Sequence, residues 1–328
     1  MFSNEQWLAN SGANFYNGVA TQSLRFNDDD SAYLTKTPSS ASNRKTWTWS
    51  GWVKRGNLSS WQMLFAAGTT AGDRTYLAIN DSNYLVFNHI ASSTPVFYSN
   101  SDMVFRDCSA WYHLVVKCDL ANTTVNIYVN GQQIDLTLTS GSFQNVNTYI
   151  NNNTAHFISK SSFASQEYLD GYLAEVNFID GLALTPTSFG EFKNGVWIPI
   201  DTSGLTFGTN GFRLKFDQVG VGTASSSTIG ADTSGNTNHW TSGGIVASDC
   251  AMPDSPENNF ATLNPLNNPD GTFSEGNLKW LSTTTDQRIA LATMPVDSLG
   301  ARRHHIGLLA SLVTQKLGTH ECCIEMMA

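Results

Sequence analysis

The chain has 328 residues, of which 14% are charged, and a formal net charge of −9. A usual charged fraction is about 25%; here Asn, Ser, Thr and Gly take that place, as in β-structure whose turns and exposed strand faces are neutral and polar. The acidic balance excludes a nucleic-acid groove, which needs clustered Lys and Arg to displace counterions, and no apolar run is long enough to span a bilayer.

Residues 1–20 read as an N-terminal arm. Their text, MFSNEQWLANSGANFY onward, has no basic segment followed by an apolar one, so no secretory signal is expected. From residue 21, short runs rich in Val, Ile, Tyr, Phe, Trp and Thr recur between Gly, Asn, Asp and Ser clusters, the pattern of an antiparallel sandwich. The predicted strands are Ser23–Asn27, Tyr33–Thr35, Thr46–Lys54, Met63–Ala67, Tyr76–Asn80, Tyr84–His89, Val96–Tyr98, Trp111–Cys118, Val125–Val129, His156–Ser159, Tyr172–Ile179 and Phe212–Phe216. Alternation puts Tyr112, Leu114, Val116 and Cys118 on one face, and Val125, Ile127 and Val129 on another, as core positions. Asn130-Gly131 is a type I′ turn signal, because that turn needs φ > 0 at both central residues. Trp47 and Trp49 share a face and are expected in the core, with Trp52 opposite.

Beyond the main block of strands, residues 21–200, the chain changes character. Residues 201–253 hold one more strand, GFRLKFD, and a polar loop, IGADTSGNTNHWTSGG. The sixty residues 201–260 are too few for a second sandwich, so this stretch is expected to complete the first. Residues 254–328 read as a linker and an atypical tail, with Arg302-Arg303-His304-His305 and an adjacent Cys322-Cys323. That tail is either a divergent extension or the product of a reading-frame change. The five cysteines, an odd number with no CxxC pair, are expected to be reduced thiols and not zinc ligands.

Three kinds of site were weighed on residue chemistry. Asp232, Ser234, Asn236 and Asn238 alternate in one Gly-containing loop, with Asp217 near in sequence; such oxygens can wrap a structural calcium ion. The same residues equally suit a tight turn through Asx-type hydrogen bonds, and both readings stay open. Asp28-Asp29-Asp30 is a second candidate of the same kind, or a solvated turn. For a sugar ligand, aromatic rings near turns are the candidates: Trp61, Tyr84, Tyr98 and Trp111. For catalysis, the seven histidines are scattered and no G-x-S-x-G elbow or phosphate-binding loop is present. His113 reads as a wall residue and His89 as a strand-edge residue.

The segments SLRFNDDDSAYL, TWTWSGWVKRG, WYHLVVKC, NIYVNGQQI and DGYLAEVNFIDG resemble the concanavalin A-like, laminin-G-type jelly rolls, in particular those of virion-associated proteins of marine tailed phages. The resemblance implies an all-β, antiparallel two-sheet jelly-roll sandwich over roughly residues 20–250. It implies that Asp170–Phe189 closes the domain, followed by a helical start at Thr185-Pro186. The 254–280 stretch resembles the lead-in to a SPRY-type sandwich, truncated or frame-shifted thereafter. Glucanases of this fold carry an E-x-D-x-x-E run whose acids share one strand face. No such run exists here, and Glu167, Asp170 and Glu175 have the wrong spacing. The resemblance therefore points to a non-enzymatic protein displayed on the virion surface, on tail or capsid. Its partners would be a host-surface glycan and other virion proteins, and it would form a homo-oligomer. A purely structural virion component and a polysaccharide-degrading enzyme are the alternatives. The step from fold to function is analogy.

Overall fold

The computed structural model describes residues 15–58, 60–266 and 271–282, with the backbone of 322–323. The sequence around Arg302-Arg303-His304-His305, and with it any reading-frame change, lies outside the described residues.

Two antiparallel sheets face each other. The first runs, edge to edge, Leu24–Phe26 (β1), Gly171–Asp180 (β13), Thr46–Arg55 (β3), Tyr112–Asp119 (β8), Thr124–Val129 (β9) and Gln132–Ile134 (β10), with Phe212–Leu214 (β16) also pairing with β13. The second runs Leu136–Gly141 (β11), Thr94–Val104 (β7), Tyr84–Ala91 (β6), Asp73–Ile79 (β5), Gln62–Thr70 (β4), His156–Ile158 (β12), Tyr33–Lys36 (β2) and Thr241–Gly243 (β17). Residues 201–253 thus give one strand to each sheet. Two hairpins stand apart, Gly190–Lys193 (β14) with Val196–Pro199 (β15), and Gly271–Ser274 (β18) with Lys279–Ser282 (β19). A short 3-10 turn, Pro186–Ser188, follows β13, with Pro at its start where no N–H is missed. The fold is an all-β jelly-roll sandwich. Among the described residues no helix is long and apolar enough to cross a membrane.

The inner faces are packed by alternation. Trp47 and Trp49 of β3 point inward among Phe65, Phe87, Phe178, Phe212 and Trp240. Trp47 meets Phe87 edge-on at 5.6 Å, and Phe178 stacks on Phe212 at 5.5 Å. Trp52 points to the opposite face, as a period of two requires. The β9–β10 turn has φ of +48° at Asn130 and +80° at Gly131. Gly131 is needed twice, since a Cβ there would also lie 2.5 Å from the Trp197 ring.

One strand is much longer than its expected three residues. β7 spans Thr94–Val104, and its SNSD run hides the alternation because serines take inward positions. Ser99 Oγ donates to the Phe87 carbonyl at 2.6 Å and Ser101 Oγ to the Met103 carbonyl at 2.7 Å, so neither inward hydroxyl is stranded. His89 is likewise no edge residue. It is buried against Phe97 and Tyr149.

The outer face of the first sheet is covered by later chain. Phe189, Trp197 and Phe207 seal it at one end, and the 247–282 segment at the other. Lys54 is fully buried there, donating to Asp254 Oδ2 at 2.7 Å, Asn259 Oδ1 at 2.8 Å and the Phe260 carbonyl at 2.6 Å. Arg25 joins Asp249 at 2.6 Å and Glu275 at 2.9 Å. Lys54 and Arg25 thus each have an acid, a condition under which such burial is tolerated, while buried Arg55 is held by Gln62, Asn83 and the Phe105 and Asn57 carbonyls.

Candidate functional site

Among the described residues, the outer face of the second sheet has no such cover of matched ion pairs. One row of residues crosses it perpendicular to the strands. By register it runs Thr35, Phe157, Ala66, Tyr76, Asn88, Tyr98 and Ser140. Inward neighbours such as Leu77 and Phe87 fill the core, so alternation aims this row outward.

Tyr76 is the hub of the patch. Asn88 Nδ2 donates to its hydroxyl at 3.0 Å, while Asn88 Oδ1 accepts from the Ser99 N–H at 2.8 Å. Burial, and to a lesser degree Tyr98, hold the Tyr76 phenol well above its usual range, so it is a neutral donor. Trp61 meets the Tyr76 ring edge-on at 6.4 Å. The Arg74 guanidinium lies over one face of Tyr76, 4.6 Å from the centroid, and 4.5 Å from that of Phe163. Phe163 stands on the loop between β12 and β13. That loop is tied down by Met63 N donating to the Glu167 carbonyl at 2.9 Å and by Ser161 N to that of Gln166 at 3.1 Å. Around the hub, Arg74 Nε and Nη1, Asn100 Oδ1, Ser161 Oγ, Ser162 Oγ and Glu167 Oε2 are buried atoms without hydrogen-bond partners.

Three of the aromatic residues expected to meet a ligand lie at this sheet. Trp61 packs half-buried onto the patch, Tyr98 stands in the row, and Tyr84 sits at the start of β6, all with intermediate exposure. Trp111 corrects the expectation of an exposed ring. It is 8% exposed, on the other sheet's covered face, and its indole N–H donates to Asp254 Oδ1 at 3.0 Å. The sequence reading missed Arg74, Tyr76, Asn88, Asn100 and Phe163. Parity in DRTYLAI does put Arg74 and Tyr76 on one face. Phe163, far off in sequence, reaches them only by loop closure.

The proposed calcium loop turns out to be a latch. Asp232 Oδ1 accepts from the backbone N–H of Arg213 at 2.9 Å and of Ser234 at 2.8 Å. Its Oδ2 accepts from Ser234 Oγ at 2.9 Å and from Asn238 N at 2.7 Å. Ringed by N–H and O–H donors, the Asp232 carboxylate acts here as a turn cap. Asn236 Nδ2 donates to the Gly208 and Gly211 carbonyls at 2.7 and 3.0 Å, which ties the loop to β16. Asp217 is not brought in; it lies 3.9 Å from Lys215 instead. Among the described residues no three His, Cys, Asp or Glu side chains gather as a metal site. In the Asp28–Asp30 turn, Asp28 accepts from Asn57 at 3.3 Å and Asp30 from Asn27 at 2.8 Å.

The remaining titratable groups are structural. His113 is fully buried and stacked on Trp52 at 4.8 Å. Trp197 Nε1 donates to its Nδ1 at 2.9 Å, which puts the proton on Nε2, where it is donated to Ser50 Oγ at 2.9 Å. The ring therefore cannot take a proton from Ser50, and burial pushes its pKa down to about 3. Burial also lowers His89 and His156 to about 4. The Cys108, Cys118 and Cys250 thiols are free, buried and pushed up, Cys108 to about 12 and Cys250 to about 11. The three carboxylates Glu167, Asp170 and Glu175 do not share a surface. Glu167 is on the loop over the second sheet. Asp170 is buried under the C-terminal hairpin, accepting from Gly276 N at 2.8 Å and Asn57 N at 3.0 Å. Burial, then the charge of Asp28, raise it to about 7. Glu175 is buried against Arg213 at 3.1 Å on the first sheet, and burial holds it above the usual carboxylate range.

Comparison with known proteins places this geometry. Residues 27–188, just under half the chain, match the family model of the concanavalin A-like lectin/glucanases superfamily. No curated protein matches the chain. Among solved structures, a proposed carbohydrate binding protein of Bacteroides ovatus shares 15% identity at a TM-score of 0.47, over 68% of this chain and 58% of its own. A heptameric pentraxin of Limulus polyphemus shares 17% at 0.35, over 47% and 71%. A sialidase CBM40 of Ruminococcus gnavus, bound to α2,3-sialyllactose, shares 13% at 0.33, over 43% and 88%. The chain thus spans less than two thirds of the first of these, and likeness at this level says nothing of individual site residues. Residues 27–188 of this chain form a concanavalin A-like lectin/glucanase domain of the laminin-G-like kind.

Proposed function

We propose that the chain is a non-enzymatic adhesion module that binds glycan through the outer face of its second sheet. The observation that carries this reading is the patch around Tyr76. There the half-buried rings of Trp61, Tyr98 and Phe163 stand beside buried polar atoms that the fold leaves unsatisfied. Rings offer surface to sugar C–H faces, and unmade hydrogen bonds offer sites to hydroxyls. The family match over residues 27–188 supports the same class of ligand. Separation of Glu167, Asp170 and Glu175 onto different surfaces speaks against a glycosidase pair, which needs two carboxyls within about 5–10 Å across one cleft.

The sparsely charged, Asn- and Ser-rich composition and the resemblance of the strand motifs to virion proteins of tailed phages support a place on a tail or capsid surface. Attachment there would work by avidity, many copies of a weak site acting at high effective concentration. A homo-oligomer and contacts with other virion proteins belong to this reading. The test is binding of the full chain to a glycan array and to intact bacteria, with calcium and with chelator. Trp61→Ala and Tyr98→Ala are each expected to cut binding by roughly tenfold or more, about 1.4 kcal/mol. Chelator is expected to change nothing. A folded, multivalent sample that binds no glycan and no cell overturns the reading. The structural alternative has its own observation, exposed Phe192 and Val196 on the β14–β15 hairpin, and would show as subunit contacts there.

A further inference from the structure

We infer that the glycan this face takes carries a carboxylate, and that Arg74 reads it; the inference rests on the glycan-binding reading above. The guanidinium is held between two rings, Tyr76 at 4.6 Å and Phe163 at 4.5 Å. A guanidinium packed on rings offers a ligand the N–H edge in its plane. Two of its nitrogens, Nε and Nη1, are buried and donate to nothing. An unmade buried hydrogen bond costs about 1–3 kcal/mol, more on a charged group. Elsewhere among the described residues, buried cations have their hydrogen-bond partners, Arg55 among neutral oxygens. Lys54, Arg25 and Arg213 each hold an acid within 3.1 Å.

Arg74 has no ion pair among the described residues, and neither has Lys160 on the same loop as Phe163. Lys160 repeats the arrangement, lying over the rings of Tyr33 at 4.7 Å and Phe157 at 4.9 Å. The acid on that loop, Glu167, pairs with neither cation. Two ring-mounted cations without acids, on one face of a chain of net charge −9, complement an anion. A planar fork fixed in orientation favours the planar, two-oxygen carboxylate of a uronic or sialic type of sugar, which it can bind through paired N–H···O bonds. Ser161 and Ser162, on the same loop as Phe163 and with hydroxyls that are also unpartnered, supply contacts for the hydroxyls of the same ring.

The experiment pairs each probe with its own neutral form. Uronate- and sialate-bearing oligosaccharides are printed beside the same compounds with the carboxyl reduced to an alcohol, and the full chain is applied. The acid of at least one pair is expected to bind roughly tenfold or more tighter than its reduced form, the worth of about one charge-assisted bond. Arg74→Gln is expected to erase that ratio, weakening the acid far more than the reduced form. Arg74→Lys, which keeps charge but not the fork, should restore it only in part. Thermal unfolding reports whether each variant is folded, and Phe163→Ala, which frees one face of the guanidinium, gives a second readout should Arg74→Gln fail to fold. It should lower the acid-to-alcohol ratio without abolishing binding. Equal binding of acid and alcohol overturns the carboxylate inference and leaves glycan binding standing. Binding of sulfated sugars alone overturns it also. Failure of every glycan to bind overturns both.

Discussion

The outer faces of the two sheets use the same materials, aromatic rings and cations, to opposite ends. On the first sheet, Trp52, Trp111, Tyr172 and Trp197 lie beneath the later chain, and Lys54 and Arg25 are tied to Asp254, Asp249 and Glu275. On the second, Trp61, Tyr98 and Phe163 stay half exposed, and Arg74 and Lys160 sit on rings without an acid. The physical difference is completion. Where the chain covers the first sheet, the covering segment supplies the counter-charges of Lys54 and Arg25. On the second sheet, Arg74 and Lys160 have no such acid among the described residues.

That contrast can be broken first at the covered face. Lys54→Met removes one member of a fully buried pair and strands Asp254. Stability to urea should fall by about 3–5 kcal/mol, with glycan binding by the folded fraction unchanged. A loss under about 1 kcal/mol would mean that the C-terminal segment is not held there by charge. Trp111→Phe keeps a ring but deletes the indole N–H bonded to Asp254 at 3.0 Å. It should cost about 1–3 kcal/mol in the same assay and leave ligand binding alone. Loss of binding in that variant would instead restore Trp111 as a ligand residue.

The buried carboxylate gives a pH test of the same face. Asp170 has a folded pKa of about 7, raised by burial above the usual carboxylate value. Its contribution to stability is therefore full below about pH 4 and is lost as pH rises through 7. The neutral Asp170→Asn variant lacks this loss. The stability gap between the parent and the variant should narrow from pH 4 to 7 and stay constant above. A gap that widens over that range would mean the carboxylate is charged and matched. His89, His113 and His156, lowered to between about 3 and 4, act in the opposite sense, weakening the fold as pH falls below about 6.5. They cancel in this difference because both proteins contain them. The smallest expected effect is at Tyr84, at the strand end of the uncovered face. Tyr84→Ala should change unfolding free energy by no more than about 0.5 kcal/mol, and a larger loss would mark that position as part of the covered core.

Much of the fold was legible because alternation is local. Trp47 and Trp49 inward with Trp52 outward, the Asn130-Gly131 turn, and the pairing partners of β8 and β9 all follow from periods of two and from φ preferences within a few residues. The site was legible in part for the same reason. Turn-adjacent aromatics could be named, but whether the chain returns to cover them is a long-range fact. Trp111 and Trp61 look alike in sequence. One is met by Asp254, 143 residues later, and the other by Tyr76 on the neighbouring strand. The Asp232 loop was ambiguous for a related reason. Asx turns and calcium loops draw on the same residues, and only the direction of the N–H groups around the carboxylate separates them.

By itself, then, the sequence determined the class of structure and the faces of individual strands, since backbone periodicity and turn stereochemistry act over a few residues. Tertiary structure alone decided which outer face is sealed and which is left with its charges unmatched. It set Phe163 over Arg74, and it carried Asp170 and Glu175 away from Glu167. Those outcomes depend on loop closures across tens to hundreds of residues, where burial, counter-charge and hydrogen-bond satisfaction are settled jointly by segments that no local pattern connects.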